Sequence, residues 1–227
     1  MNKIFNYFDD AYYINLDYRE DRKDRFEQRS NKIGLNAKRF SAIQPNIEDC
    51  THIPYWNEMK TYEQKRYKAN EVGCALSHIS IIKEAKNRNL NNILIFEDDC
   101  IFLDNFETDI YKCIEDLKNI DWDIFYLGGQ PNSACEKVTE NIYTIKSGGL
   151  YQLHSYAINK SIFDLIINMD FTFCSIIDNF FLNYDKNIIK TYLSKNMLTL
   201  QEDGISDLNN LNFNHLAYKV RWDKYVK

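Results

Sequence analysis

The 227 residues contain no C-x-x-C pair and no zinc-finger spacing, although there are six cysteines, at 50, 74, 100, 113, 135 and 174. A disulfide framework or a zinc-finger module is therefore not expected, and several of these thiols sit in apolar segments that fit buried, reduced cysteine. No stretch approaches the run of roughly 18 apolar residues needed to span a bilayer. The N-terminal residues lack the basic start, apolar centre and small-residue cleavage site of a secretory signal. A cytoplasmic location is expected, with peripheral membrane contact left open. There is no P-loop, no internal repeat and no low-complexity tract. Positive charge is also in deficit: the formal net charge is −5 and the pI about 5.5. That argues against a broad nucleic-acid footprint. Basic residues instead cluster locally at Arg19, Arg22, Lys23 and Arg25, which suits one small anion. Glycine numbers only seven, and four of these form the pairs Gly128-Gly129 and Gly148-Gly149. Such concentration points to loops where backbone approaches a ligand closely.

What is present suits one α/β domain. A chain of this length can bury roughly 70–75% of its unfolded surface, and 44% hydrophobic with 15% aromatic residues supplies the core. Tyr12 to Leu16 reads as a first strand. Arg19 to about Ile33 reads as a helix, with Asp17 as N-cap, Glu20 three residues on, and Gly34 at the C-terminal end. Lys38 to Ala42 reads as a second strand. Residues 44–70 hold two of the three prolines and no clean period, and read as an irregular insertion with a short helix around Tyr62 to Tyr67. Glu71 to Asn87 is a helix with Val72, Leu76, Ile79 and Ile82 on a buried stripe. Strands follow at Asn92–Phe96 and Ile124–Leu127, around a helix from Phe106 to Leu117. Shorter strands are expected between Ile142 and Ile158, helices near Lys160–Ile167 and Ile176–Asn183, and strands near Ile189–Leu193 and Leu198–Gln201. The alternation predicts a single Rossmann-type domain with a mixed, mainly parallel sheet, a motif-bearing core at about 12–207 and a tail over 208–227.

Several constellations can carry chemistry. Ile93-Leu94-Ile95-Phe96 runs directly into Glu97-Asp98-Asp99. Acidic residues commonly cap the next helix, but these stand at the end of a buried strand, where open α/β sheets bind ligands. Such a cluster calls for positive charge, and a divalent cation with a phosphorylated substrate would supply it. Asn15 to Arg22 joins a strand end to a helix start with two arginines, a pattern suited either to an anion or to a solvated face of ion pairs. Glu71-Val72-Gly73-Cys74 leads to Ser77 and His78, a helix packed by small residues or part of a pocket. Cys74 beside His78 lacks an orienting third group for nucleophilic catalysis. Asp178 is embedded in an apolar helix, where burial would raise its pKa, as a general base needs. His154, Tyr156 and the segment Gln201 to Asp207 complete the set.

In chain order these blocks resemble glycosyltransferase family 25, which includes bacterial lipooligosaccharide galactosyltransferases and collagen galactosyltransferase domains. The matching pieces are Ile14-Asn15-Leu16-Asp17 with Arg19, Asp21 and Arg22; Phe40-Ser41-Ala42; Glu71-Val72-Gly73-Cys74 with Leu76-Ser77-His78; and Ile95-Phe96-Glu97-Asp98-Asp99. Trp122-Asp123 with Tyr126-Leu127-Gly128, His154 with Tyr156, Asp178 with Leu182, and Gln201 with Ser206 continue the series. The resemblance implies a GT-A-like fold and inverting transfer of galactose or glucose from UDP-galactose or UDP-glucose to a glycan or glycoprotein acceptor. It implies Mn²⁺ or Mg²⁺ at Asp98 and Asp99. Glu97 and Asp98 would serve the donor phosphates, with Asn15, Asp17, Arg19, Arg22, Ser77, His78, His154 and Gln201 around the donor and Asp178 as base. Gln152 and Leu153 depart from the small residues that often precede the family's His-x-Tyr. A non-catalytic glycan- or nucleotide-binding module of the same fold is the main alternative. A metal-dependent phosphotransferase or nuclease is disfavoured by the negative charge and the missing P-loop.

Overall fold

The computed structural model describes residues 6–53, 56–145, 150–169, 177, 178, 181, 188–207, 212, 213 and 216–226. An eight-stranded sheet forms its centre. In chain order its strands are β1 (Asp10–Asn15), β2 (Lys38–Ser41), β3 (Asn92–Glu97), β5 (Ile124–Tyr126), β7 (Cys135–Lys137), β8 (Ile142–Ile145), β10 (Ser155–Asn159) and β11 (Thr191–Ser194). Their spatial order is β2-β1-β3-β10-β5-β11-β8-β7. Only β10 and β8 run against the rest. This is the expected Rossmann-type sheet, mixed and with most strands running one way. Short pairs flank it: β4 (Cys100–Phe102) with β12 (Thr199–Gln201), β6 (Gln130–Pro131) with β9 (Leu150–Tyr151), and β13 (Gly204–Ile205) with β14 (Asn212–Phe213).

β3 is buried along almost its whole length because both faces of the sheet are covered. Ile93 and Ile95 join Tyr12 and Ile14 of β1 in a core that packs against α2 (Tyr62–Asn87) and α4 (Phe163–Ile167). Leu94 and Phe96 join Ala11 and Tyr13 in a second core against Phe26 of α1 (Glu20–Lys32) and Phe106 and Ile110 of α3 (Phe106–Leu117). This alternation explains why the strand reads as an unbroken apolar run. The last helix, α5, spans Leu216–Tyr225. Among the described residues no helix is long and apolar enough to cross a membrane.

Three expectations need correction. The short helix at 62–67 and the helix from Glu71 are one 26-residue helix. Its start is a capping box: the Gln64 N–H donates to the Thr61 hydroxyl at 3.2 Å, and the Thr61 N–H donates to the Gln64 side chain at 3.3 Å. Only the earlier part of the 44–70 stretch is irregular; it holds two 3₁₀ turns, Ile47–Cys50 and Trp56–Glu58, and its Cys50, Ile53 and Trp56 cover Ala69 and Val72 of α2. Second, Asp17 does not cap α1; the N-cap is Arg19, with no side-chain cap. Third, β4 was not anticipated; it is a three-residue edge that exists through its pairing with β12. The end of α1 does follow expectation. Gly34 adopts φ +67°, and the N–H groups of Gly34 and Leu35 close onto the carbonyls of Asn31 and Ser30, a Schellman ending. Gly148, Gly149, Leu182 and most of the expected 176–183 helix lie outside the described residues.

Gly73 lets α2 pass against the segment that follows β2. A Cβ there would stand 2.3 Å from the Ile43 carbonyl oxygen and 2.8 Å from Pro45 Cδ. Alanine would otherwise favour a helix interior by about 1 kcal/mol, so the sign of the effect is diagnostic. Gly73→Ala is expected to destabilise by about 1–3 kcal/mol, lowering Tm by roughly 2–10 °C for a chain of this size. A raised Tm on thermal denaturation would show that this approach is not tight.

Candidate active site

The C-terminal ends of the parallel strands β1 and β3 open into a cleft of about 140 Å³. Six parts of the chain build its wall, one of them Ala42, Ile43 and Gln44 after β2. β1 and its exit contribute Ile14, Asn15 and Leu16, and α1 contributes Arg22. One face of α2 supplies Asn70, Cys74, Ser77 and His78, residues spaced three or four apart and so stacked on one side of the helix. The end of β3 brings Glu97, Asp98 and Asp99, and the end of β12 and the segment after it bring Gln201, Ser206 and Asp207.

The acidic triplet is held, not loose. Asn15 Nδ2 donates to Asp98 Oδ2 at 2.7 Å and to the Arg19 carbonyl at 3.0 Å. Its Oδ1 accepts from Arg39 Nε at 2.8 Å, which fixes the amide orientation. Arg22 Nη1 lies 3.1 Å from Asp98 Oδ1, 3.4 Å from Asp99 Oδ2 and 3.5 Å from Asp207 Oδ2. Gln201 Nε2 donates to Glu97 Oε2 at 3.3 Å. Asp99 Oδ1 is buried and has no hydrogen-bond partner among the described residues. Burial pushes the Glu97, Asp98 and Asp99 carboxyls above the ordinary range, and mutual repulsion adds to this at Glu97 and Asp99, while Arg22 pulls the other way. A partly buried set of oxygen donors, one of its atoms buried and unpaired among the described residues, fits a hard divalent cation.

Other residues have different surroundings. His78 is fully buried, and its Nδ1 lies 3.0 Å from the Tyr156 hydroxyl. Burial lowers its pKa to about 4, so it is neutral near pH 7. The Cys74 thiol is pushed well above its usual pKa by burial and then by Glu97, which disfavours the nucleophilic reading. The described part of Asp178's surroundings places it within the electrostatic reach of Glu97 and His78. Burial, then Glu97, raises its pKa to about 6, opposed by the Gln152 N–H, which donates to Oδ2 at 2.7 Å. Gln152 itself takes φ +74°, a conformation that favours glycine, so the departure from small residues at this point is accommodated by backbone strain.

Of the residues singled out from sequence, Asn15, Arg22, Ser77, His78, Glu97, Asp98, Asp99 and Gln201 line the cleft. Ser77 also ties α2 to the chain after β2, accepting from the Ile43 N–H at 2.8 Å and donating to the Gly73 carbonyl at 2.7 Å. Four do not line it. Asp17 is exposed and accepts from Arg39 and Ser41 at 2.6 and 2.8 Å. Arg19 pairs with Asp21 and Asp207 at the rim, beside a second depression shared with Arg22, Arg25 and Glu202. His154 is buried behind β3, its carbonyl accepting from the Glu97 N–H at 2.9 Å and its Nε2 lying 3.3 Å from the Thr199 hydroxyl. Asp178 adjoins the cleft without lining it. Sequence reasoning missed Asp207, which meets both Arg19 and Arg22, and Arg39, which orients Asn15. Arg39 carried one usable signal: a basic residue on a strand adjoining β1. Asp207 carried none, since its partners are 188 and 185 residues away in the chain.

A family model described as glycosyltransferase family 25 (LPS biosynthesis protein) matches residues 8–147. Procollagen galactosyltransferase 2 of Mus musculus is 32% identical over 129 residues, which cover 53% of this chain and 21% of that protein. Procollagen galactosyltransferase 1-A of Xenopus laevis is 30% identical over 131 residues, with the same two coverages. Inactive glycosyltransferase 25 family member 3 of Homo sapiens is 29% identical over 163 residues, 66% of this chain and 27% of that protein. The chain thus spans about a fifth to a quarter of the length of these relatives. Because residues 8–147 run from ahead of β1 to the end of β8 and hold every cleft residue except Gln201, Ser206 and Asp207, the chain belongs to glycosyltransferase family 25.

Proposed function

We propose that this chain is a metal-dependent, inverting glycosyltransferase that moves galactose or glucose from a UDP-sugar to a hydroxyl of a glycan or glycoprotein. The observation that carries the reading is buried Asp98 with partly buried Asp99 beside Arg22, Asp99 Oδ1 being unpaired among the described residues, at the carboxyl ends of two parallel strands. Family membership and the procollagen galactosyltransferase relatives support the sugar-transfer chemistry. The relatives named inactive make turnover the property to be measured.

In this reading Asp98 and Asp99 hold Mn²⁺ or Mg²⁺. Bound there, the cation supplies Lewis-acid stabilisation of the departing diphosphate, worth several kcal/mol. Arg22 presents a planar guanidinium at the same place, a group suited to gripping phosphate oxygens. Asn15 keeps Asp98 in position through its 2.7 Å hydrogen bond, and Arg39 keeps Asn15 in position in turn. Glu97, oriented by Gln201, faces the donor sugar hydroxyls. Asp178 is the base, with the Gln152 N–H holding its Oδ2 in place. The acceptor oxygen attacks the anomeric carbon, Asp178 takes its proton, and the bond from that carbon to the diphosphate oxygen breaks. One displacement inverts the configuration. A base whose pKa is about 6 is ionised at neutral pH and stronger than an ordinary carboxylate.

Incubation with UDP-galactose or UDP-glucose and Mn²⁺ is expected to release UDP slowly without acceptor and faster with one. Asp99→Asn should cut this by at least about 100-fold. No donor binding and no UDP release from either sugar would reject the reading. Asp178→Asn should lower kcat by about 10²–10⁴ while donor affinity holds. The wild-type rate should rise with pH through about 6, where Asp178 ionises; a flat profile there would remove Asp178 from the base role.

The raised carboxyls also couple the cation to stability. Their folded-state pKa values exceed the unfolded ones. Their contribution is therefore complete below the ordinary carboxylate range and is lost as pH rises through the raised values. A divalent cation offsets this loss by replacing the protons. The Tm increase produced by Mn²⁺ should be larger at about pH 8 than at about pH 5, and absent in Asp99→Asn. Equal increments at both pH values, measured by thermal denaturation, would contradict the assignment.

A further inference from the structure

We infer that the floor of the cleft holds a second cation site, formed by Cys74 Sγ, His78 Nε2 and Glu97 Oε1 and suited to Zn²⁺, distinct from the carboxylate pair Asp98–Asp99. The three ligand atoms all lie within 4.8 Å of one another. His78 Nε2 is 3.5 Å from Glu97 Oε1, and Cys74 Sγ is 4.0 Å from the same oxygen. Tetrahedral Zn²⁺ at its usual bond lengths separates an oxygen from a nitrogen ligand by about 3.3 Å and from a sulfur ligand by about 3.5 Å. The two sides to Glu97 Oε1 therefore close onto a cation with shifts of tenths of an ångström, and the third, from Cys74 Sγ to His78 Nε2, lies within 4.8 Å. Cys74 and His78 stand four residues apart on α2 and so project from one face, the spacing that helices use to present two ligands to one ion.

Two further observations point to a ligand. His78 Nε2 is buried without a hydrogen-bond partner among the described residues, in a side chain that is fully buried and lines the cleft. Each of two ligands is also held on its other atom. His78 Nδ1 meets the Tyr156 hydroxyl at 3.0 Å, so a proton on Nδ1 donated to that oxygen leaves Nε2 as the lone-pair atom facing the cluster. Glu97 Oε2 accepts from Gln201, which leaves Oε1 toward Cys74 and His78. Partners of this kind set the tautomer and aim of metal ligands. A sulfur, an imidazole and a carboxylate favour Zn²⁺ over Mn²⁺ or Mg²⁺, whereas Asp98 and Asp99 offer oxygen alone. Three protein ligands leave a fourth position for water. On binding, the Cys74 proton goes to solvent and the thiolate becomes the ligand. Because Glu97 belongs to both groups, Zn²⁺ here withdraws it from the donor side, and Zn²⁺ should inhibit Mn²⁺-supported turnover if the proposed activity holds.

The test uses the full chain with Zn²⁺ or Co²⁺ alone, so it needs neither donor nor turnover and stands apart from the transferase reading. Calorimetry should give one Zn²⁺ per chain, and Co²⁺ should give a thiolate-to-metal charge-transfer band. Cys74→Ser should remove the band and weaken Zn²⁺ by at least about 100-fold, the upper end of what losing an outer partner costs; Asp99→Asn should keep both. In the wild-type protein, Zn²⁺ should protect Cys74 from alkylation, mapped by peptide mass spectrometry, which needs no variant to fold. Absence of Zn²⁺ binding, affinity unchanged in Cys74→Ser, loss of affinity in Asp99→Asn equal to that in Cys74→Ser, or unprotected Cys74 would each overturn the site.

Discussion

Charge imbalance at the end of a buried strand governs this structure. Four carboxylates, from Glu97, Asp98, Asp99 and Asp207, share the cleft with the guanidinium of Arg22, while Arg19 reaches Asp207 from the rim. With every acid ionised, two negative charges remain unmet. Removing such charges from water is costly, and the free protein meets the cost by binding protons at pH values where exposed carboxyls have lost them. A divalent cation carries the two charges that are missing. The site therefore looks forward to a ligand, and its elevated pKa values record that expectation as a free-energy difference.

The fold makes this imbalance tolerable. β3 carries its acids out of a core closed on both faces, so the backbone that presents them cannot easily shift. β1 adds Asn15 from the adjacent parallel strand, and Arg39 on β2 braces it in turn. On the far wall α2 comes close only because Gly73 has no side chain to strike Ile43. Ser77 then ties the two segments together by accepting from the Ile43 N–H, while its own hydroxyl donates within α2 to the Gly73 carbonyl. Precision at the reacting end is thus supplied by packing further down the sheet and along the helix.

What could be read from sequence follows from the range of the interactions. Local signals were sufficient for β3, for α3 and for the Schellman end of α1, since an apolar run, a periodic face and a glycine each act over a few residues. The acidic triplet was legible as a ligand site because burial and strand position are both local properties. The start of α1 was misread because Asp17 is drawn away by Arg39 and Ser41, partners on another strand. α2 was cut in two because the insertion was judged by its prolines and not by the capping box at Thr61. Asp207 and the pairing of β4 with β12 depend on contacts between segments about 100 or more residues apart, for which no local pattern exists. His154 shows the opposite limit. It stands in a motif that resembles the family's, yet its ring and carbonyl here brace Thr199 and Glu97 from behind the cleft.

That last case bears on how the family motifs are to be understood. If each motif residue were a ligand contact, the unpaired polar atoms should be spread over all of them. Instead Ser77 and Asn15 have partners within the protein, while Asp99 Oδ1 and His78 Nε2 are buried and without a partner among the described residues. An unpaired buried polar atom costs about 1–3 kcal/mol unless a ligand completes it. These two atoms line one cleft, each in a side chain whose other polar atom is anchored, and mark where chemistry from outside the chain is to be received. The remaining motif residues keep those two atoms in place.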